Sequence, residues 1–182
     1  MYYAVLYVGP CYGCTNGFSP AFATSPDGYV WTYHGRISPF GINQSSAMNL
    51  LVDEARTDAY RFMFWMDVST NFYLVHSADG ISWTSDAQNQ WPIAGEQPQF
   101  ASATKTASGY HIIAAINFPA TAHRHIFSCT GLPPWRVLEM DADTRWSAQK
   151  GTNLSWDAAT NTIHALTSGV HYTVQDRVLT CP

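Results

Sequence analysis

The stretch Ser77-Ala78-Asp79-Gly80-Ile81-Ser82-Trp83 decides how this chain is expected to fold. An Asp-Gly pair between two runs of β-forming residues is the strongest short-range signal for a β-hairpin. One such run, residues 72–76, precedes the pair, and another, residues 81–84, follows it. The stretch therefore predicts two antiparallel strands joined by a tight turn. In that turn the aspartate accepts backbone hydrogen bonds and the glycine adopts a positive φ.

The same pattern occurs twice more. Ser25-Pro26-Asp27-Gly28-Tyr29-Val30-Trp31 is a complete earlier copy, and Ser128-Cys129-Thr130-Gly131-Leu132-Pro133-Pro134-Trp135 is a degraded later copy with one extra residue before its tryptophan. The three tryptophans stand at 31, 83 and 135, so the two intervals are equal, at 52 residues each. A fixed period of this size indicates a propeller or a repeat array. We assign a structural role to the motif residues Ser25, Asp27, Gly28, Trp31, Ser77, Asp79, Gly80, Trp83, Gly131 and Trp135.

The β-rich runs group into four repeat units, at about 1–40, 41–92, 93–145 and 146–182. If the strands of a unit are named A to D from the inside out, the first unit lacks strand A. The last unit has A, B and C, with 177–180 as a further candidate strand. Closure of such units into a ring removes exposed sheet edges. The pattern therefore predicts a single all-β domain over 1–182, a small propeller of antiparallel four-stranded blades. Four blades are favoured, and five would need a partner to complete the ring.

Composition narrows the classes of function. Aromatic residues make up 14% of the 182 residues and charged residues only 12%, which argues against disorder and against an ion-paired helical bundle. The net charge of -4, without a basic run, argues against a nucleic-acid partner. The apolar runs are too short for membrane insertion. The first residues lack the basic and cleavage features of a signal peptide, so we expect a cytoplasmic protein or a virion component.

The four cysteines are expected to be free thiols in that setting. Cys11 and Cys14 form a single C-x-x-C without a second one, so neither a zinc site nor another cofactor is predicted. Closure of a ring would bring the chain ends together. A pairing of Cys181 with Cys11 or with Cys14 is therefore an open alternative.

The S-x-D-G-x-x-W motif after a β-strand resembles the blades of five-bladed propeller glycosidases of the arabinanase and fructosidase type. It is similar, more distantly, to the Asp-box of sialidases. The resemblance implies carboxylates on the inner strands, because glycoside hydrolysis needs one carboxyl group as acid and another as base or nucleophile. The candidates in this chain are Asp53, Asp67, Glu96 and Asp157. The inner strand of the third unit carries no acid, so the three-carboxylate pattern of the family is not reproduced.

Several histidines and two tryptophans are further candidate site residues. His123 and His125 fall on one face of a strand, and His111 and His164 occupy similar places in the third and fourth units. No third ligand has a defining spacing, so no metal site is predicted. Trp91 and Trp146 lie in predicted loops, and we expect them to offer aromatic faces to a sugar.

The leading hypothesis is a non-catalytic propeller for binding or assembly, with carbohydrate as the favoured ligand. Composition and analogy suggest a component of a viral particle or its tail. The alternative is a glycoside hydrolase that uses Asp53, Asp157 and Glu96. A third hypothesis is a scaffold that binds a protein partner or forms a homo-oligomer.

Overall fold

The computed structural model describes residues 1–8, 19–37, 50–68, 71–86, 91–116, 122–138, 153–167, 170–175 and 181. These residues contain fourteen strands and no helix, so the predicted all-β class is confirmed. None of the described residues belongs to a helix long and apolar enough to cross a bilayer. The chain divides into two compact units, Met1–Gln88 and Asn89–Pro182.

The first unit holds two antiparallel sheets in which neighbours along the chain are neighbours in the sheet. The first sheet consists of β1 (Tyr2–Val8), β2 (Ser19–Ser25) and β3 (Thr32–Arg36). The second sheet consists of β4 (Leu51–Val52), β5 (Phe62–Val68), β6 (Asn71–Ser77) and β7 (Thr84–Ser85).

The second unit repeats this organisation. The third sheet consists of β8 (Pro98–Lys105), β9 (Tyr110–Ile116), β10 (Ala122–Ser128) and β11 (Arg136–Leu138). The fourth sheet consists of β12 (Asn153–Asp157), β13 (Thr162–Thr167) and β14 (Val170–Gln175).

The strand order agrees with the predicted blades. Among the described residues the four sheets have three, four, four and three strands, and the first lacks an inner strand. The predicted extra strand at 177–180 lies outside the described residues. Each sheet is a simple meander, the arrangement of a propeller blade.

Aromatic side chains join the two sheets of the first unit. Phe22 on β2 lies 5.4 Å from Phe62 on β5 and 5.5 Å from Trp83 just before β7, measured between ring centroids. Phe64 and Val75 are buried in the same cluster. Large rings in edge-to-face contact supply both buried apolar area and a preferred orientation, so this cluster fixes how the two sheets face each other.

The two sheets of the second unit meet through smaller residues. Leu154, Ile163 and Ala165 of the fourth sheet pack on Ile113 of the third. The first strands of the two sheets are linked directly, because the amide of Leu154 donates to Ser102 Oγ at 3.0 Å. Such contact between the inner strands of successive sheets is typical of propeller blades.

The structure corrects the expectations for the cysteines. Cys181 forms a disulfide with Cys129, with 5.5 Å between the Cα atoms, so these two are not free thiols and Cys181 does not pair with Cys11 or Cys14. The alternative pairing with Cys11 or Cys14 assumed that the chain end returns to the N-terminal loop. Instead, Cys181 is bonded to the third copy of the motif, which lies in the same unit. Cys11 and Cys14 lie outside the described residues.

We expect the disulfide to stabilise the fold measurably. It closes a loop of 52 residues, which the chain-entropy model values at about 4 kcal/mol. The double substitution Cys129→Ser with Cys181→Ser should lower the free energy of unfolding by an amount of that order in urea. Adding a reductant should lower the wild-type value and leave that of the double variant unchanged. Equal stability of the two proteins under oxidising conditions would contradict the pairing.

Candidate functional site

The turn between β6 and β7 is organised by one carboxylate. Asp79 Oδ1 accepts the amides of Ile81 and Ser82, each at 2.8 Å. Ser77 Oγ donates to the same oxygen at 2.9 Å and accepts the amide of Gly80 at 2.8 Å. The two backbone hydrogen bonds favour the ionised form and hold the pKa of Asp79 below its ordinary value.

The turn between β2 and β3 has the same bonds. Asp27 Oδ1 accepts the amides of Tyr29 at 2.8 Å and Val30 at 3.0 Å. Ser25 Oγ donates to Asp27 at 3.0 Å and accepts the amide of Gly28 at 2.8 Å. The amides of Val30 and Tyr29 are the main reason that the pKa of Asp27 is lowered. The two complete copies of the motif are therefore one structure used twice.

The motif tryptophan is fastened to the glycine of its own turn. Trp83 Nε1 donates to the carbonyl of Gly80 at 2.9 Å, and Trp31 Nε1 donates to the carbonyl of Gly28 at 3.1 Å. This bond fixes the orientation of the indole without help from a neighbouring sheet. Trp83 then packs on the aromatic cluster of the first unit.

The motif glycines of the two complete copies have similar backbone conformations but different neighbours. Gly80 has φ of +76°, and a Cβ placed on it would lie 2.3 Å from a ring atom of Phe22 in the adjacent sheet. Gly28 has φ of +82°, and its nearest neighbour would be the ring of Tyr2, on its own sheet, at 3.8 Å. The nearest cover of the second turn is therefore another sheet, whereas the nearest described cover of the first is its own strand β1.

The third turn keeps a glycine with positive φ and lacks the carboxylate. Gly131 has φ of +79°. Thr130 stands where the other copies have aspartate, and its hydroxyl accepts the amide of Leu132 at 3.3 Å. Ser128 donates its hydroxyl to the carbonyl of Leu132. Trp135 is buried.

Three aromatic residues near Gly28 are exposed. Tyr2 is 56% exposed, Tyr29 is 90% exposed and Trp31 is 42% exposed. The indole of Trp31 is held on the carbonyl of Gly28, and the ring of Tyr2 lies beside the same residue. We call Tyr2, Tyr29 and Trp31 the aromatic patch.

The sequence interpretation did not single out Tyr2 or Tyr29. The signal for Tyr2 lies in strand register, because an aromatic residue faces the motif serine in each complete or degraded copy. These pairs are Tyr2 with Ser25, Phe62 with Ser77 and Tyr110 with Ser128. Each serine lies three residues before its glycine, so the aromatic partner comes close to the turn.

Two of the candidate catalytic carboxylates are held in turns. Asp53 is buried after β4, and its Oδ1 accepts the amide of Ala55 at 3.2 Å. Asp157, at the end of β12, accepts the hydroxyl of Thr160 at 2.7 Å and the amide of Ala159 at 2.9 Å. These bonds, the one from Thr160 first, lower the pKa of Asp157. A general acid at neutral pH needs a raised pKa instead.

The third candidate, Glu96, is engaged on both oxygens. Oε1 lies 2.8 Å from a guanidinium nitrogen of Arg124, and Oε2 accepts the indole N–H of Trp91 at 3.1 Å. Trp91 is only 5% exposed, so the expectation that it offers an open face to a sugar is wrong. Its indole N–H donates to Glu96 inside the fold. Trp146 and the side chain of Asp67 lie outside the described residues.

Four of the seven histidines form two imidazole pairs. His111 Nδ1 lies 3.0 Å from His125 Nε2, and both rings are fully buried. His164 contacts His171 on the next strand. Burial lowers the pKa of His125 to about 3, with the charge of His111 as a second cause, and lowers the pKa of His123 to about 4. Among the described residues, no group of three or more His, Cys, Asp or Glu side chains is placed to hold a metal ion.

Comparison with known proteins bears on the fold alone. No family model matches the chain, and no curated protein matches it. Its structure is similar to one described as the crystal structure of a thermostable family-43 glycoside hydrolase, with a TM-score of 0.50 and 11% sequence identity. The match covers 97% of this chain and 73% of the other. Family 43 is a family of five-bladed propellers, so the similarity supports the propeller-like fold predicted from the repeats.

The two motif glycines provide a matched pair for stability. Gly80→Ala and Gly28→Ala impose similar backbone strain, but only the first drives a Cβ into Phe22. Because that ring is enclosed by the aromatic cluster, we expect Gly80→Ala to cost about 1–3 kcal/mol more than Gly28→Ala. Urea unfolding of the two variants measures the difference. Equal losses would contradict the packing of Phe22 over the second turn.

The buried histidines predict loss of stability in mild acid. In the unfolded chain these histidines have a pKa of about 6.5. In the folded chain the pKa of His123 is about 4 and that of His125 is about 3. Their contribution to stability is therefore complete above about pH 6.5 and declines as the pH falls, by about 2 kcal/mol for each histidine at about pH 5.

Urea unfolding across this pH range tests that effect. His123→Gln should flatten the decline, and the exposed His34→Gln should leave it unchanged. A free energy of unfolding that stays constant down to about pH 5 would show that these imidazoles are not buried as described.

Proposed function

We propose that this chain is a non-catalytic carbohydrate-binding module on a propeller-like fold, with the aromatic patch as its sugar-contacting surface. One observation carries the proposal. The motif turn occurs twice with the same hydrogen bonds. At Gly80 the turn is covered by Phe22 of another sheet, whereas at Gly28 the rings of Tyr2, Tyr29 and Trp31 are open to solvent. An exposed aromatic surface around the anchored Trp31 is thus built from a motif whose second copy packs into the core.

The chemistry of the patch suits a pyranose ring. One face of a sugar presents C–H groups that pack on aromatic rings, and its edge presents hydroxyl groups. Trp31 and Tyr2 supply apolar ring area, and the phenol groups of Tyr2 and Tyr29 supply hydrogen-bonding groups. Because the indole of Trp31 is already fixed by its bond to Gly28, little side-chain freedom is lost on binding.

The state of the carboxylates favours binding over hydrolysis. Asp157 has a lowered pKa, and Glu96 is paired with Arg124. Asp53 is buried in its own turn. A glycosidase instead needs two carboxyl groups facing one bond, one of them poised to donate a proton. The similarity to a family-43 glycoside hydrolase keeps hydrolysis with Asp53, Asp157 and Glu96 as the second candidate, and it also favours a sugar as ligand.

The disulfide suggests where such a module works. A bond such as Cys129–Cys181 persists in oxidising surroundings and is reduced in most cytosols. We therefore propose an exposed setting, such as the surface of a viral particle or its tail, in place of the cytoplasm.

Glycan-array binding tests the proposal. We expect the wild-type protein to bind a subset of glycans, and Trp31→Ala and Tyr29→Ala to weaken binding by about tenfold or more, since each removes a stacking ring. Ile81 occupies the place of Tyr29 in the second turn and is 65% exposed, so Ile81→Ala is the matched control and should bind as the wild type does.

Sugar release from the bound glycans tests the alternative. We expect no turnover, and unchanged glycan binding by Asp53→Asn and Asp157→Asn. Turnover that is abolished in either variant would establish the hydrolase and overturn the non-catalytic assignment. Blank arrays together with oligomers in light scattering would favour the protein-binding scaffold.

A further inference from the structure

A second pair of imidazoles lies at the surface of the fourth sheet. His164 on β13 and His171 on β14 approach with 2.9 Å between Nδ1 of the first and Nε2 of the second. The rings are 12° from parallel, with 5.2 Å between their centroids. His164 is partly exposed and His171 is exposed.

The alternation of β13 places this pair on the face away from the core. Ile163 and Ala165 point into the packed side, so His164 between them points to the other. Its partners in register are Ser155 on β12 and Thr173 on β14, both exposed. The face is open to solvent, and exposed Leu166 lies on it opposite His171.

Two neutral imidazoles in this contact share one proton, because one nitrogen must donate and the other accept. Imidazole nitrogens are also the commonest metal ligands in proteins, and they suit zinc, copper and nickel. Nitrogens bound to one ion at about 2.0–2.1 Å lie roughly 3–4 Å apart, depending on the angle at the ion. The two side chains need to separate by about 1 Å or less to admit an ion between them.

We propose that His164 and His171 bind a divalent transition-metal ion, with water completing its coordination. Binding needs both facing nitrogens free of hydrogen, so the ring that donates in the metal-free state takes its other tautomer, with the N–H on its far nitrogen and no net release of protons. Asp157, at the end of β12, adds a nearby negative charge, since His164 interacts with its carboxylate electrostatically. This site is independent of the aromatic patch, which belongs to the first unit.

The chain contains its own comparison. His111 and His125 make the same kind of contact, at 3.0 Å, but both are fully buried. A hydrated ion has no room there, and the coordination of an ion could not be completed by water. The proposal therefore assigns metal binding to the exposed pair and not to the buried one.

Titration of the full chain with Cu²⁺ at neutral pH, followed by electron paramagnetic resonance, tests the site. We expect one tightly bound ion with the signature of two imidazole nitrogens. His171→Gln and His164→Gln should each weaken binding about tenfold or more, and His34→Gln should leave it unchanged. Because these positions are exposed or partly exposed, the variants should keep the wild-type circular dichroism spectrum.

Zn²⁺ gives a second readout that does not depend on copper. It should raise the melting temperature of the wild type and of His34→Gln, because an ion that binds only the folded state stabilises it, and it should not raise that of His171→Gln. Equal copper binding by all variants, or absence of binding by the wild type, would overturn the proposal.

Discussion

The structure depends on one interaction that occurs in both complete motif turns: an aspartate carboxylate accepts hydrogen bonds from two successive backbone amides. In the second turn Asp79 does this for Ile81 and Ser82, and in the first turn Asp27 does it for Tyr29 and Val30. Each of these amides would otherwise have to donate to water, because the chain reverses too sharply there for a neighbouring strand to supply an acceptor. With these bonds made inside the turn, the tryptophan that follows is aimed back over the glycine. A local polar interaction thereby positions the largest apolar side chain of the motif.

The two complete copies of this turn have different surroundings. Where a neighbouring sheet supplies Phe22, the turn and its Trp83 become part of the core that joins two blades. Where no described residue covers it in that way, the turn presents rings to solvent, as at Trp31. Trp31 keeps its own anchor there, the hydrogen bond from its indole to the carbonyl of Gly28.

The sequence predicted the fold well and the site poorly, for physical reasons. Strand order and the missing inner strand of the first unit followed from turns that local residues encode, such as Asp79-Gly80. The partner of Cys181 did not, because spacing along the chain does not say which turn the chain end meets in space. Trp91 was expected to be exposed from its place in a loop, but it donates to Glu96 in the interior. Tyr2 was overlooked, since only strand register shows that it faces Ser25.

Amide hydrogen exchange at the turns tests the central claim most directly. Residues 29, 30, 81 and 82 are exposed, so their amides would exchange almost freely unless the carboxylates hold them. The account predicts protection of all four in the wild type, and its loss at 81 and 82 alone in Asp79→Ala. Exchange of these four amides at the rate of an unstructured peptide in the wild type would contradict the role given to the aspartates.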